Sequence, residues 1–341
     1  MKKNRWQLWL GIVVSVVALA LALLGIDPQQ VVATLAQAEY IYLVPALILS
    51  VAYLSARSLR WRVLLGPQVS LTRCFWATCV GYLVSNVLPF RLGDPARAVA
   101  VGLDGKVKVS AALSTVVVEL VLDMLMVVSL LAVTLPFVER AGLLQSIGVA
   151  AGAAAVAAIT MLIIVAVWPK WVRLVVQRLL ARLPRLDSER WLGVLDGLLD
   201  GLTALRSPRR LVALLGWSIV AWGLIVSYYW VMLRAFRDGP PLVQASLLTC
   251  AVGLGMALPS APGAVGVFHT AAKYALQLPF GVPGEEALSI AFAAHALQYV
   301  FSSLLGLIGL TRLGLSFRQL RADATAANAA VAAEAVAEED E

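Results

Sequence analysis

Six apolar runs determine what this chain can fold into. Each is near or above the roughly 20 residues that an α-helix needs to cross the hydrocarbon core of a bilayer. Hydrophobic residues make up 61% of the sequence and charged residues 14%, whereas a soluble globular chain carries about 25% charged residues. The sequence therefore predicts an all-α polytopic membrane protein with six spans. They are Leu8–Ile26, Tyr40–Ala56, Val109–Phe137, Ile147–Trp168, Leu211–Leu233 and Ala287–Leu310.

The first run follows Lys2, Lys3 and Arg5 and resembles a signal peptide in its flanking charge. Its length suits a spanning helix better than a signal-peptide core, and its small-x-small triplets lie inside the apolar run. We therefore predict that it is a retained first helix, followed by an external loop at Asp27–Glu39.

Two further apolar stretches contain proline and glycine, and they are Cys74–Phe90 and Gly239–Ala272. The first ends at such a break and the second is interrupted by one. The breaks fall at residues 86–97 and 258–269. A broken helix frees backbone N–H and C=O groups that hydrocarbon cannot satisfy, so these segments must lie in protein or line a polar cavity. Paired breaks in corresponding places are typical of a transporter binding site. We predict two re-entrant helical hairpins.

The distribution of basic residues supports this topology. With both stretches re-entrant, most of the 27 lysines and arginines lie on the cytoplasmic side, the exceptions being Arg140, Arg234, Arg237 and Lys273. Full crossings would instead place the basic segment 170–210 outside, against the positive-inside rule. The prediction is a plasma (inner) membrane protein with cytoplasmic N and C termini.

The same topology orients the two hairpin-containing units in opposite directions, which predicts an inverted repeat. Its halves are about 1–145 and 146–313 within one transmembrane domain. Residues 170–210 carry apolar residues at helical spacing among arginines and predict interfacial helices. Residues 314–341 predict an acidic, Ala-rich, disordered tail.

Two Pro-containing dipeptides at the breaks predict helix starts. Asp94-Pro95 fits an N-cap followed by a first-turn proline, and Pro262-Gly263 suggests a second start. Exposed N–H groups and the helix dipole bind anions, and arginine grips phosphate through two hydrogen bonds. Arg91 and Arg97 would reinforce the first site and Lys273 the second. Alternatively, Asp94 pairs with an arginine and only braces the loop.

Glu119 and Asp123 lie near the middle of the third span, four residues apart and so on one helix face. Charges at membrane depth are costly and normally face a cavity with a cationic partner. Arg57 and Arg60 are the obvious partners. Glu119 and Asp123 either carry protons or belong to a structural ion-pair cluster. For Arg57 and Arg60 the alternative is that their side chains reach to the membrane interface, without a partner in the protein.

Other polar residues near the breaks are candidates for headgroup contacts. His269 and Lys273 are four residues apart after the second break, and His295 lies within the sixth span, where a packing role is equally compatible. Tyr82, Asn86 and Ser260 can donate hydrogen bonds to a headgroup or between helices. The candidate substrate-binding residues are Arg57, Arg60, Asn86, Arg91, Asp94, Arg97, Ser260, His269 and Lys273, and the candidate ion carriers are Glu119 and Asp123.

Several function classes are disfavoured. The sequence has no GxxxxGK[ST] nucleotide loop, no HExxH and no G-x-S-x-G, so we expect no ATP hydrolysis, no metal, no cofactor and no enzymatic activity. Cys74, Cys79 and Cys250 lie in apolar stretches without CxxC spacing and predict small buried side chains. The net charge of +7 sits beside apolar runs and does not indicate nucleic acid.

These motifs together resemble a flippase-like family typified by the transmembrane region of lysylphosphatidylglycerol synthases. The matching elements are Arg57-x-x-Arg60-Trp61, the run from Asn86 through Pro89, Arg91, Gly93 and Asp94 to Arg97, Glu119 with Asp123, and the run from Pro259 through Pro262, Gly263 and Gly266 to Phe268. This chain departs from the family in having Asp94 in place of Glu and His269 in place of an acid. The chain ends soon after the sixth span, so the resemblance implies lipid translocation and not lipid aminoacylation.

The leading hypothesis is a translocase for a membrane lipid with an anionic headgroup, either a phospholipid or a polyprenyl-phosphate-linked lipid. Two alternatives remain. One is an intramembrane lipid-modifying enzyme, and the other is a non-transporting partner of a membrane glycosyltransferase. Lipid-glycosylation or envelope-synthesis enzymes are the expected protein partners.

Overall fold

The computed structural model describes residues 5–88, 92–138, 168–180, 207–257 and 261–316, with a few single positions between 153 and 199. Within these ranges the chain is all-helical, as predicted. The helices are α1 (Arg5–Leu23), α2 (Pro28–Gln37), α3 (Leu43–Leu65), α4 (Leu71–Val87), α5 (Gly93–Gly102), α6 (Val109–Thr134), α7 (Pro169–Leu180), α8 (Pro208–Arg234), α9 (Leu242–Ala257), α10 (Val267–Phe280) and α11 (Gly284–Leu313).

Four helical segments of the described chain are long and apolar enough to cross a membrane. They are Tyr40–Leu65, Val109–Phe137, Pro208–Arg234 and Gly284–Leu313, and they confirm four of the predicted spans. The second span was expected to end at Ala56, but α3 continues to Leu65 because Arg57 and Arg60 find acidic partners inside the protein. Most residues of the predicted span Ile147–Trp168 and of the tail 314–341 fall outside the described residues.

The first span departs from its prediction. Its apolar helix and α2 are bent by 79°, and α2 occupies the segment that was predicted as an external loop. The Asp27 side chain accepts the N–H of Gln29, and Pro28 is the first helical residue. This Asp-Pro pair is the same type of helix-start signal as Asp94-Pro95, and it accounts for a helix in this segment.

Both predicted hairpins are pairs of helices that pack against each other across a break. Hairpin 1 is α4 and α5, and hairpin 2 is α9 and α10. None of the four arms exceeds 17 residues, which is shorter than the roughly 20 residues of a full crossing. The side of the membrane on which each hairpin opens remains a prediction.

The helix starts at the breaks are shifted from their predicted positions. Helix α5 begins at Gly93, so Asp94 lies in the first turn and is not the N-cap. Pro262-Gly263 forms a 3₁₀ turn, and α10 begins only at Val267. The delay follows from the backbone, since Gly263 and Gly266 have φ values of +66° and +90°, a region that interrupts a right-handed helix.

The remaining helices enclose the two hairpins. Helices α3 and α8 pack against each other, while α6 contacts α5 and α9, and α11 contacts α4 and α10. Helix α1 packs on α10, and the Ala261 N–H donates to Ser15 Oγ at 2.8 Å. The first helix of the chain is thus attached to the second hairpin.

Candidate functional site

A cavity of about 230 Å³ is lined by both hairpins and by α3, α6, α8 and α11. This volume is slightly below the roughly 300–1,000 Å³ of typical small-molecule sites, so it suits a small group. Its charged lining residues are Arg57, Asp94, Arg97 and Asp123, and its aromatic ones are Tyr53, Tyr82, Trp222, Tyr229, Phe268, His295 and Tyr299.

Asp123 occupies the centre of the charged side of the cavity. Arg57 Nη2 donates to Asp123 Oδ2 at 3.1 Å, and Arg60 Nη1 donates to Oδ1 at 2.7 Å. Trp222 on α8 adds a longer contact of 3.4 Å from its indole N–H. Arg57 also donates to the hydroxyls of Tyr53 and Tyr82. The predicted partnership between the α3 arginines and the α6 acids is therefore present.

Glu119 lies one helical turn away and is fully buried, as is Arg60. Glu119 Oε1 accepts from Arg60 Nε at 3.0 Å, and Oε2 accepts from Arg97 Nη1 at 2.5 Å. The Arg97 guanidinium also stacks over the Trp61 ring at 4.8 Å. Glu119 does not line the cavity, so it holds two arginines in position from behind the cavity wall.

The cavity-lining arginines keep donors without partners. Within the described residues, Arg57 Nε, Arg97 Nε and Arg97 Nη2 are buried and make no hydrogen bond. Arg97 Nη2 lies 3.2 Å from Asp94 Oδ1, an ion-pair distance without hydrogen-bond geometry. Buried polar groups are normally satisfied, so unpaired guanidinium donors beside a cavity suit an oxyanion ligand such as phosphate.

The ends of the two hairpins meet at Tyr299 in α11. The Tyr299 hydroxyl donates to the backbone oxygen of Asn86 at 3.0 Å, and the Asn86 amide donates to Ser302 and Ser303. A Cβ added at Gly263 would meet the Tyr299 ring at 2.6 Å, so hairpin 2 approaches the same ring. One aromatic side chain therefore contacts both breaks.

His269 and His295 form a second polar cluster. His269 Nε2 and His295 Nδ1 are 3.5 Å apart, and His295 stacks on Phe268 with ring centroids 4.3 Å apart. His295 lines the cavity, whereas His269 lies behind it and is 3% exposed.

Lys273 has a different role from the one that its spacing suggested. Its ammonium group donates to the backbone oxygens of Ala22 and Leu24 at 2.9 and 3.1 Å. These are carbonyls at the C-terminal end of α1, where a cation is electrostatically favourable. Lys273 does not line the cavity.

Replacing Lys273 with methionine should destabilise the protein without affecting the cavity. Methionine keeps the apolar stem but leaves the buried carbonyl of Ala22 without its donor, which costs about 1–3 kcal/mol. Thermal unfolding in detergent should show a lowered Tm, and any headgroup binding should be retained. Loss of binding with an unchanged Tm would contradict this assignment.

The structure brings together five predicted site residues at the cavity: Arg57, Asn86, Asp94, Arg97 and Asp123. Arg60 and Glu119 contact members of this set, and His269 contacts His295, but none of these three residues lines the cavity. Arg91 and Ser260 lie outside the described residues. Metal ligation has no support in the described part of the chain, which holds no cluster of three or more ligating residues.

Sequence reasoning missed Tyr53, Trp222 and Tyr299, which all line the cavity. Aromatic residues at helical spacing in apolar sequence look like ordinary core residues. One signal was available at Tyr299, because it stands four residues after His295 and so shares its helix face.

Comparison with known proteins agrees with this architecture. The family described as the lysylphosphatidylglycerol synthase TM region matches residues 8–306. A glycosyltransferase, AglD, of Haloferax volcanii is 26% identical over 339 aligned residues, covering 90% of this chain and 54% of that protein. A UPF0104 membrane protein of Methanothermobacter thermautotrophicus is 30% identical over 117 residues, covering 33% of this chain and 35% of that protein.

The chain thus spans about half the length of the Haloferax relative and about a third of the Methanothermobacter one. No solved structure matches it significantly. The family match extends over both hairpins, three of the four spans in full, the fourth span as far as residue 306, and the whole charged cluster. This integral membrane protein therefore belongs to the lysylphosphatidylglycerol synthase TM region family.

Proposed function

We propose that this protein is a lipid translocase, which moves a lipid with a phosphate-bearing headgroup between the two leaflets. The observation that carries the proposal is the cavity between the two hairpin ends, where buried N–H groups of Arg57 and Arg97 make no hydrogen bond. A phosphate oxygen supplies the acceptors that these donors lack. The acyl or polyprenyl chains stay in the bilayer while the headgroup occupies the cavity.

The helix contacts support the inverted repeat that such a translocase needs. One unit is α3, hairpin 1 and α6, and the other is α8, hairpin 2 and α11. In this repeat α3, α4, α5 and α6 correspond to α8, α9, α10 and α11. Each contact between helices of these units then has a counterpart that is also present: α4–α11 corresponds to α9–α6, α5–α6 to α10–α11, and α3–α4 to α8–α9. The α3–α8 contact is converted into itself. Rocking of one unit against the other around this contact would expose the headgroup to alternate leaflets.

Transport in this proposal uses no nucleotide, because the sequence carries no nucleotide-binding loop. Movement is then downhill or ion-coupled. Asp123 lines the cavity and remains a proposed ion carrier, although proton uptake there requires breaking its pairs with Arg57 and Arg60. Glu119 is proposed to position Arg60 and Arg97.

The Haloferax relative named as a glycosyltransferase favours a second proposal, in which this chain works with an enzyme of lipid glycosylation or itself modifies a lipid. Product analysis separates a translocase from a protein that itself modifies the lipid. Incubation of the purified protein with radiolabelled lipid should return the lipid chemically unchanged if the protein is a translocase. A new covalent product would favour the enzyme.

Arg57→Gln should lower the rate of lipid movement by about tenfold or more. The variant removes a cavity charge and its unpaired donor, and a charged hydrogen bond contributes about 1.5–3 kcal/mol. Vesicles reconstituted with the protein and a fluorescent anionic lipid report the rate through quenching of the outer leaflet.

Arg312→Gln is the matched control, since Arg312 is exposed at the end of α11 and undergoes the same chemical change outside the cavity. It should move lipid within about twofold of wild type. Equal rates for wild type, Arg57→Gln and protein-free vesicles would defeat the translocase proposal.

A further inference from the structure

We propose that His269 and His295 together form a proton-binding site of the transport cycle, separate from Asp123, an inference that rests on the proposed translocase function. The pair joins the second arm of hairpin 2 to α11, with Nε2 and Nδ1 at 3.5 Å. Its cavity-facing member is His295, so a proton can arrive by the same path as the headgroup.

The surrounding hydrogen bonds define the tautomer of each ring. The backbone N–H of Gly266 donates to His269 Nδ1 at 3.3 Å, so the proton of neutral His269 is on Nε2. That N–H then donates to His295 Nδ1, which leaves the proton of His295 on its own Nε2. Both rings are neutral in this arrangement, and one acceptor nitrogen of each ring is in use.

One added proton must break a link at the end of hairpin 2. A doubly protonated imidazole has only donors. If the proton adds to His295 Nδ1, this nitrogen no longer accepts from His269, and the α10–α11 link is lost. If His269 instead changes tautomer to restore that link, its Nδ1 carries a proton and faces the Gly266 N–H. Protonation therefore weakens either the contact between helices or the start of α10.

The corresponding place in the other unit holds permanent charges. There Arg97 on the second arm of hairpin 1 pairs with Glu119 on α6, just as His269 on α10 pairs with His295 on α11. An arginine cannot lose its proton in a protein, so the first unit keeps its pairing. Of the two corresponding pairs, only the histidine pair can take up a proton and become charged.

The helices that pack around the histidine pair carry other charged and titratable groups. Lys273 on α10 is bonded to α1 carbonyls, α1 carries Arg5 as its first residue, and α2 and α9 contain no charged residue. The titratable groups on the packed elements include Cys250 on α9, Tyr274 on α10, Glu285, Glu286, Tyr299 and Arg312 on α11, Tyr82 on α4, Tyr53 and Arg57 on α3, Tyr228 and Tyr229 on α8, and Asp94, Arg97 and Asp123 across the cavity.

The chain contains only two histidines, so isotope labelling observes this pair alone. Wild-type protein without a histidine tag, labelled with ¹⁵N-histidine and placed in lipid vesicles, should show two neutral Nε2–H rings at neutral pH. On acidification the two rings should change together on binding one proton. A Gln177→His variant supplies a reference ring at an exposed position of α7, which should titrate independently near pH ~6.5.

The transport readout uses His269→Gln and His295→Gln. Glutamine keeps one donor and one acceptor but binds no proton. Wild-type lipid movement should accelerate on acidification by up to about tenfold per pH unit, as for one bound proton, while each variant should change by less than about twofold. Variants that keep the wild-type pH slope would overturn the inference and leave the translocase proposal standing.

Two further results are decisive. Independent titration of the two rings in the labelled protein would exclude a shared proton. If wild-type protein moves no lipid at any pH, the translocase proposal fails and with it the role in a transport cycle, while the labelled spectra still decide whether the pair binds a proton.

Discussion

Gly93→Ala is expected to disrupt hairpin 1 and lower the stability of the protein by about 3 kcal/mol or more. A Cβ at Gly93 would overlap the backbone oxygen of Gly81 and the hydroxyl of Ser85, so α4 and α5 would have to separate. Overpacking costs about 1–3 kcal/mol, occasionally more, and here a backbone atom blocks the added methyl group. Thermal unfolding in detergent should show a Tm about 6 °C lower or more.

Gly223→Ala is the matched control for this substitution. Gly223 lies within helix α8, and an added Cβ there would meet nothing within 4 Å. Alanine favours a helix over glycine by about 0.5–1 kcal/mol, so the Tm should stay the same or rise. A Gly93→Ala protein as stable as the control would show that the two arms are not closely packed at this point.

Glu119→Gln is expected to destabilise the protein by about 3–5 kcal/mol, the range for removing one partner of a buried ion pair. Glutamine has nearly the same volume, so the effect isolates the charge. Arg60 and Arg97 would keep their positive charges in a fully buried place with a weaker acceptor. Thermal unfolding of the purified variant measures the loss.

Glu39→Gln tests the same chemical change at an exposed position and should leave the Tm within about 1 °C, because exposed substitutions stay within about 0.5 kcal/mol. Adding Arg97→Gln to Glu119→Gln should recover part of the lost stability, since both members of one pair are then neutral. A double variant whose losses simply add would indicate that Glu119 and Arg97 do not interact.

The sequence predicted most of what depends on apolar length and local signals. Long apolar runs identified four of the spans, and the Pro/Gly breaks identified both hairpins. The α3 arginines were expected to pair with Glu119 and Asp123, because charge inside a membrane protein needs a partner. The same pairing explains why α3 is longer than predicted. Arg57 and Arg60 have acidic partners inside the protein, so the helix can continue past Ala56 to Leu65.

The predictions that were wrong or missing concern tertiary contacts, which depend on which helix packs against a given helix face. His269 and Lys273 share a face by spacing, yet His269 meets α11 and Lys273 meets α1. No local pattern specifies such tertiary neighbours. Likewise, the role of Tyr299 depends on two breaks that are some 170 residues apart in sequence and meet only in the folded protein.

The attachment of α1 to hairpin 2 has a consequence for biogenesis. Ser15 bonds to Ala261, and the end of α1 bonds to Lys273, so α1 has its partners 246 and 251 residues later in the sequence. Until those residues are synthesised, the carbonyl end of α1 remains uncapped. Docking of α1 on hairpin 2 is therefore a late step of assembly, and it joins segments that lie far apart in the sequence.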